Sequence, residues 1–471
     1  MAKSLDEIVE RAIARRGALR LTGLRGAGRA LVAARLVLAE PERCALYLAA
    51  DARSADAAAE DLRVLLGEPP AEQGGRVRPF PRPDTLPYDR FSPQPFLTAQ
   101  RMDVLYRLLA EREGLVVVAP WTALALRVPS RDAVRAHAVE IEVGKPVDRD
   151  ELVARLVGAG YARMPLVEER GELAVRGGIV DLFPPQRARP VRIELLGDDV
   201  ESIREFDPAS QRSQERLGRV VAPPPRELLP DRALLIDQGD AIRRRAEEQG
   251  ADPRLVDETL DALLRGHLPP GAEALAPWVQ PPVETFFDFL PDGALVLIDE
   301  PEAGRERVAR FADEAAAGAE AARSAGRVVA PPEALLLAPG EIEAELSRRR
   351  PVSLERLDVA DDGGPERIAL STRDHEELAR ELTRARTGDA ALLPLVARLE
   401  RWLAERWRVV LTSASLSGAE RLRALLGSTA SSRGSRATRG RPRAGAAPAG
   451  PRCAWRRSRR GSRCRSSDSR W

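Results

Sequence analysis

Residues 168–213 read EERGELAVRGGIVDLFPPQRARPVRIELLGDDVESIREFDPASQRS. Leu173, Val175, Ile179, Val180 and Leu182 alternate loosely with polar residues, then Val191, Ile193 and Leu195 alternate with Arg192 and Glu194, and Val200, Ile203 and Phe206 follow. That is the rhythm of short strands, in which neighbouring side chains point to opposite faces. Gly177-Gly178 and Gly197-Asp198-Asp199 are the turns between them, the second of hairpin type. The spacing predicts a small antiparallel sheet with Arg192 and Glu194 on a charged outer face and Arg176 and Arg204 nearby. By itself such a face is an ordinary solvated surface and needs no function.

Outward from this stretch the chain alternates strand and helix. Residues 5–16 have Leu5, Ile8, Val9, Ala12 and Ile13 at helical spacing behind a Ser4 cap, and a strand over 18–21 follows. Buried-strand runs at 44–49 and 114–119, with an amphipathic helix over 52–66 between them, predict a doubly wound α/β unit. Composition changes near His137, where a strand, a helix over 149–159 and the strand-rich stretch form an α+β unit at 137–222. A proline-rich linker, VVAPPPRELLP, leads to helical residues 240–249 and 253–265, then to FFDF, an apolar strand and a helix over 302–322. Helices at 374–385, 395–405 and 417–426, with a strand over 409–411, predict a further small unit.

Where the first strand turns into a helix stands Gly23-Leu24-Arg25-Gly26-Ala27-Gly28-Arg29-Ala30. Its glycine spacing is that of the phosphate-binding G-x-x-x-x-G-K-[ST] loop. Arg29 occupies the lysine position and Ala30 the hydroxyl position, so the phosphate-reaching ammonium and the magnesium ligand are both replaced. The loop reads as a skeleton that has lost its nucleotide. Leu297-Ile298-Asp299-Glu300, closing an apolar strand, looks like a remnant of the second ATPase motif and takes no catalytic role.

Length and composition bound the rest. At 471 residues the chain is long enough for about three domains, and 44% hydrophobic residues fit a globular protein. No apolar run approaches the roughly 18–20 residues of a membrane span. Cys44 is the only cysteine before residue 453, which fits a reducing cytoplasm, and His137, His267 and His375 lie far apart, so no metal site is expected. The net charge of +2 hides an asymmetry: residues 429–471 carry thirteen arginines against Asp468 alone, which leaves the preceding part acidic. That tail contains no Leu, Ile, Val, Phe or Met and is expected to be disordered. It reads either as a basic arm for nucleic acid or RNA polymerase, or as an out-of-frame extension. The second is favoured by its Arg, Gly, Ala, Pro and Ser content.

R-G-G-I-V-D-L-F-P-P, followed by V-R-I-E-L-L-G-D-D-V-E-S-I-R-E-F-D-P-x-S-Q-R, resembles the UvrA-interacting domain shared by UvrB and the bacterial transcription-repair coupling factors. T-L-P-Y-D-x-F-S-P and A-Q-R-x-x-x-L-Y-x-L, near residues 85–108, resemble the coupling factors as well. Only a few residues separate Pro93 from the next helix, which leaves no room for the DNA-gripping hairpin that UvrB carries there.

The resemblance implies an α/β fold built as a degenerate P-loop, helicase-like (UvrB-like) domain in two parts, 1–136 and 223–350. A UvrA-interaction domain at 137–222 is inserted between them, and a partial small α/β domain at 351–428 and the disordered tail follow. It implies UvrA as partner, docked through Arg176, Arg192 and Leu196, with Phe183 and Arg204 as further contacts. The two guanidiniums would pair with carboxylates and Leu196 would fill an apolar slot. Gly23, Gly26, Gly28, Arg29 and Ala30 would mark an inactive nucleotide site. No cofactor is expected in this chain, although ATP, magnesium, RNA polymerase and DNA belong to the full-length family. No catalytic residue is expected either. The polymerase-binding, translocase and autoinhibitory parts of that family have no counterpart in this sequence, which therefore reads as truncated. The other readings are a UvrB-like nucleotide-binding protein and a DNA-binding accessory factor acting through its basic tail.

Overall fold

The computed structural model describes residues 5–437 apart from 111–113, 281, 359–364, 386–391, 408, 412 and 414–415. It divides into two compact units at the Glu376/Glu377 junction. In the first unit, strands β1 (Leu19–Thr22), β2 (Ala45–Ala49), β3 (Val77–Pro79) and β4 (Val116–Pro120) alternate with helices Gly28–Ala39, Ala52–Leu66 and Pro95–Ala110. The chain then leaves this layer through β5 (Val139–Glu142), β6 (Ala162–Arg163), β7 (Glu172–Arg176), β8 (Ile179–Leu182), β9 (Val191–Leu196), β10 (Asp199–Phe206), β11 (Ser213–Leu217) and β12 (Arg219–Ala222). It returns with β13 (Leu295–Asp299), β14 (Val352–Leu354) and β15 (Glu366–Ala369).

These strands form a seven-stranded parallel sheet in the order β15-β1-β14-β13-β2-β4-β3. Its central strands β2, β4 and β13 are buried along their whole length, as parallel strands covered by helices on both faces must be. Successive residues divide between two cores. Leu46, Leu48, Val117, Ala119, Val296 and Ile298 face one, and Ala45, Tyr47, Val116, Val118, Leu295 and Leu297 the other. Helix Pro301–Ser324 lies against the first core, and Gly304 is needed there: a Cβ would stand 2.1 Å from Trp121 Nε1. Helices Arg232–Glu248 and Pro253–Leu264 pack on each other around Leu235, Ile242, Val256, Leu260 and Leu263.

The excursion is closed by its own ends, because β5 and β12 pair antiparallel with Val139 opposite Ala222. Between them lies a six-stranded sheet in the order β11-β10-β9-β8-β7-β6. Leu152 and Leu156 of helix Arg149–Gly158 belong to the same core as Leu173, Val180, Leu182, Val191, Ile193 and Ile203 of its inner face.

Several expectations are corrected. Residues 351–376 do not open a third unit. β14 is hydrogen-bonded between β1 and β13, and β15 extends the same sheet, so the boundary falls at Glu376. A strand that enters a parallel sheet by a crossover carries no local sign of which sheet receives it. Val409–Leu411 is not a strand, and Val410 is 71% exposed. Helix Leu416–Ala437 runs through residues 429–437, where disorder was expected; this part of the tail is Thr, Ser, Ala and Arg with one glycine, Gly434, and no proline, so it lacks the residue that most strongly stops a helix already begun. Residues 438–471 lie outside the described residues, as does Ser4. No helix among the described residues is long and apolar enough to cross a membrane.

Candidate functional site

The outer face of the six-stranded sheet is assembled by register. Ala174 stands opposite Asp181, Asp181 opposite Arg192, Arg192 opposite Arg204, and Arg204 opposite Arg216. One step along the strands, Arg176 pairs with Ile179, Ile179 with Glu194, and Glu194 with Ser202. Directly opposed residues of antiparallel strands share a face. Arg176, Arg192, Leu196 and Arg204 therefore share one face; the strand spacing predicts this for Arg192 with Arg176 and Arg204 nearby, while Leu196 enters from the resemblance.

At the centre is a residue the sequence reading passed over. Asp181 is 1% exposed. Its carboxylate accepts two bonds from Arg192, Nε to Oδ1 at 2.7 Å and Nη2 to Oδ2 at 2.8 Å, and a third from Arg176 Nη2 at 2.8 Å. A buried carboxylate is tolerable only when paired in this way. The carboxylate in turn holds the Arg192 guanidinium above its ordinary pKa. Arg192 also bonds Gln211 Oε1 at 3.3 Å and the Gln211 carbonyl at 3.4 Å, and lies 4.7 Å from the Phe206 ring centre. Gln211 has a left-handed backbone, φ 57°, in the D-P-x-S-Q-R turn, where the Asp207 carboxylate accepts from Ser210 N–H at 2.8 Å. The signal for Asp181 was present: a lone acid in the apolar run I-V-D-L-F.

The face is therefore not simply charged. Beneath the arginines lies a small apolar cluster of Val167, Ala174, Phe183 and Phe206. Phe183 is 6% exposed and carries Arg170 over its ring at 5.2 Å, so it supports the surface from within and is not a free contact. Arg192 is likewise committed: its fork already holds an internal carboxylate, and its side chain is 16% exposed. Arg176 is half-exposed, and Leu196 projects at the end of β9, beside the Gly197-Asp198 turn, 70% exposed. Arg204 lies 3.6 Å from Glu194 Oε2, an oxygen that also accepts from Ser202 Oγ at 2.5 Å.

The glycine loop after β1 lies in the other sheet. Gly23 has φ +77°, and a Cβ there would stand 2.0 Å from the Leu370 carbonyl oxygen. The loop is occupied by its own chain: Arg25 N–H donates to Thr372 Oγ1 at 2.6 Å, and that hydroxyl donates to Gly23 O at 2.8 Å. Arg29 Nη1 reaches Asp299 Oδ1 at 2.8 Å and Glu300 Oε1 at 2.9 Å, joining the glycine loop and the end of β13 in one ion cluster. Tyr47 donates to Asp299 Oδ2 at 2.8 Å, and Arg356 N–H donates to Glu300 Oε1 at 2.8 Å. Burial pushes the Asp299 carboxyl up against the pull of Arg29.

Comparison with known proteins places this geometry. Residues 139–228 match the UvrB interaction domain, a span that covers the whole six-stranded sheet. The chain is similar to transcription-repair-coupling factors of several bacteria. It is 34% identical to the transcription-repair-coupling factor of Myxococcus xanthus over 416 residues, 87% of this chain and 34% of that protein. It is 31% identical to that of Escherichia coli over 274 residues, 58% of this chain and 23% of that protein. The Mycobacterium bovis protein gives 32% over 318 residues, 65% of this chain and 25% of that one. The chain thus spans about a third or less of the length of these coupling factors.

Proposed function

We propose that this chain docks the excision-repair protein UvrA through the outer face of β7 to β10, and so serves the coupling of transcription to repair for which its relatives are named. What supports this most directly is that Arg176, Leu196 and Arg204 share one face with the Asp181–Arg192 pair. Asp181 and Arg192 fix the surface, while exposed Leu196 and half-exposed Arg176 are the groups free to meet a partner. An apolar side chain beside preorganised guanidiniums is the composition of a binding hot spot. In the test, calorimetric titration of UvrA into the full chain compares wild type with Leu196→Asp and Arg176→Glu. Each variant should bind at least about tenfold more weakly, roughly 1.4 kcal/mol, and Leu196→Asp, at an exposed position outside the Asp181 ion cluster, should keep the wild-type unfolding midpoint. Wild-type affinity in both variants would sink the reading.

The glycine loop, on the same proposal, is a structural joint that takes no nucleotide. A nucleotide with magnesium needs free loop N–H groups and free carboxylates, whereas the Arg25 N–H, Asp299 and Glu300 are engaged within the chain. Titration with ATP and magnesium should give no saturable heat. Magnesium-dependent binding in the micromolar range would overturn this.

A further inference from the structure

The row across the outer face contains an arrangement that folding alone does not favour. Arg192, Arg204 and Arg216 stand directly opposite one another on β9, β10 and β11. Opposed residues on neighbouring strands have Cβ atoms about 4.5–5.5 Å apart, and like charges at that distance repel. Arg192 is neutralised at close range by Asp181. Arg204 has Glu194 at 3.6 Å, shared with Ser202, and its buried Nε has no hydrogen-bond partner. Arg216, on the edge strand, is exposed and forms no ion pair among the described residues.

We propose that Arg204 and Arg216 form a second anion half-site next to the Arg176–Asp181–Arg192 cluster, and that it takes a carboxylate from an acidic segment of the docked partner. This rests on the docking reading above and extends it toward β11. A protein carboxylate fits better than a nucleic-acid backbone. Glu194 shares the face and disfavours a run of phosphates, whereas one carboxylate can enter between two guanidiniums as a forked acceptor. Leu196, on the same face, likewise suits a protein surface.

The test titrates UvrA into the full chain at several salt concentrations, using Arg216→Glu, Arg216→Lys and Leu196→Asp. Arg216 is exposed, so its variants should fold as the wild type does. Arg216→Glu should weaken binding at least about tenfold and flatten the salt dependence, while Arg216→Lys stays within about threefold. Unchanged affinity in Arg216→Glu, with binding lost in Leu196→Asp, would refute the half-site and leave the docking face standing. No UvrA binding by the wild type would refute both. If Arg216→Glu abolished binding of a duplex DNA fragment and spared UvrA, the site would belong to nucleic acid and the proposal would fall.

Discussion

Replacing Arg192 with alanine should destabilise the inserted domain by about 3–5 kcal/mol, the range for removing one partner of a buried ion pair. The substitution strips two of three charge-assisted bonds from Asp181, which has 1% of its surface exposed, and removes the cation above Phe206. Arg176 remains, but its half-exposed side chain supplies a single bond. Denaturant unfolding of the full chain should show an early transition absent from the wild type. The double variant Asp181→Ala/Arg192→Ala should lose less than the two single variants added together, because the orphaned carboxylate is gone as well. A loss under about 1 kcal/mol in Arg192→Ala would mean that Asp181 is satisfied in some other way. It follows that weakened UvrA binding in an Arg192 variant does not identify a contact. Leu196, exposed and outside the Asp181 ion cluster, is the position that can.

Arg101→Met should be nearly as damaging, at about 3 kcal/mol or more, by removing a buried cation from the joint between the first sheet and the inserted domain. Arg101 is fully buried in helix Pro95–Ala110. It pairs with Glu227, just beyond β12, donates to Pro81 O at 2.8 Å, and lies 4.2 Å from the Phe80 ring centre. The same helix touches the inserted chain twice more, through Thr98 Oγ1 to Pro225 O at 3.3 Å and Arg107 Nη2 to Gln186 O at 3.3 Å. Methionine keeps much of the length and volume, so the loss measures the polar joint rather than a cavity. Thermal unfolding followed together with limited proteolysis near residues 223–228 checks it. A variant as stable and as protease-resistant as the wild type would show that the joint rests on apolar packing alone.

Where the chain is locally consistent, its sequence is enough to read the fold. The helix over 52–66, the buried strands at β2 and β4, and the β9–β10 hairpin with its Gly197-Asp198 turn all follow from period and turn chemistry. So does the shared outer face of Arg192 and Glu194, because successive strand residues alternate between faces. That arginine and alanine, not lysine and a hydroxyl residue, stand at 29 and 30 is likewise a fact of sequence.

What the sequence could not supply is which groups meet across strands distant in the chain. β14 and β15 carry no mark that they complete a sheet begun more than 300 residues earlier. Arg29 reads as an unsuitable lysine substitute until folding brings it within 2.9 Å of Glu300 and shows what it holds instead. Asp181 reads as one more polar strand residue until burial removes its water and leaves Arg192 and Arg176 as its solvation. In each case the deciding energy is desolvation, set by the surroundings rather than by the residue, and only the tertiary structure determines those.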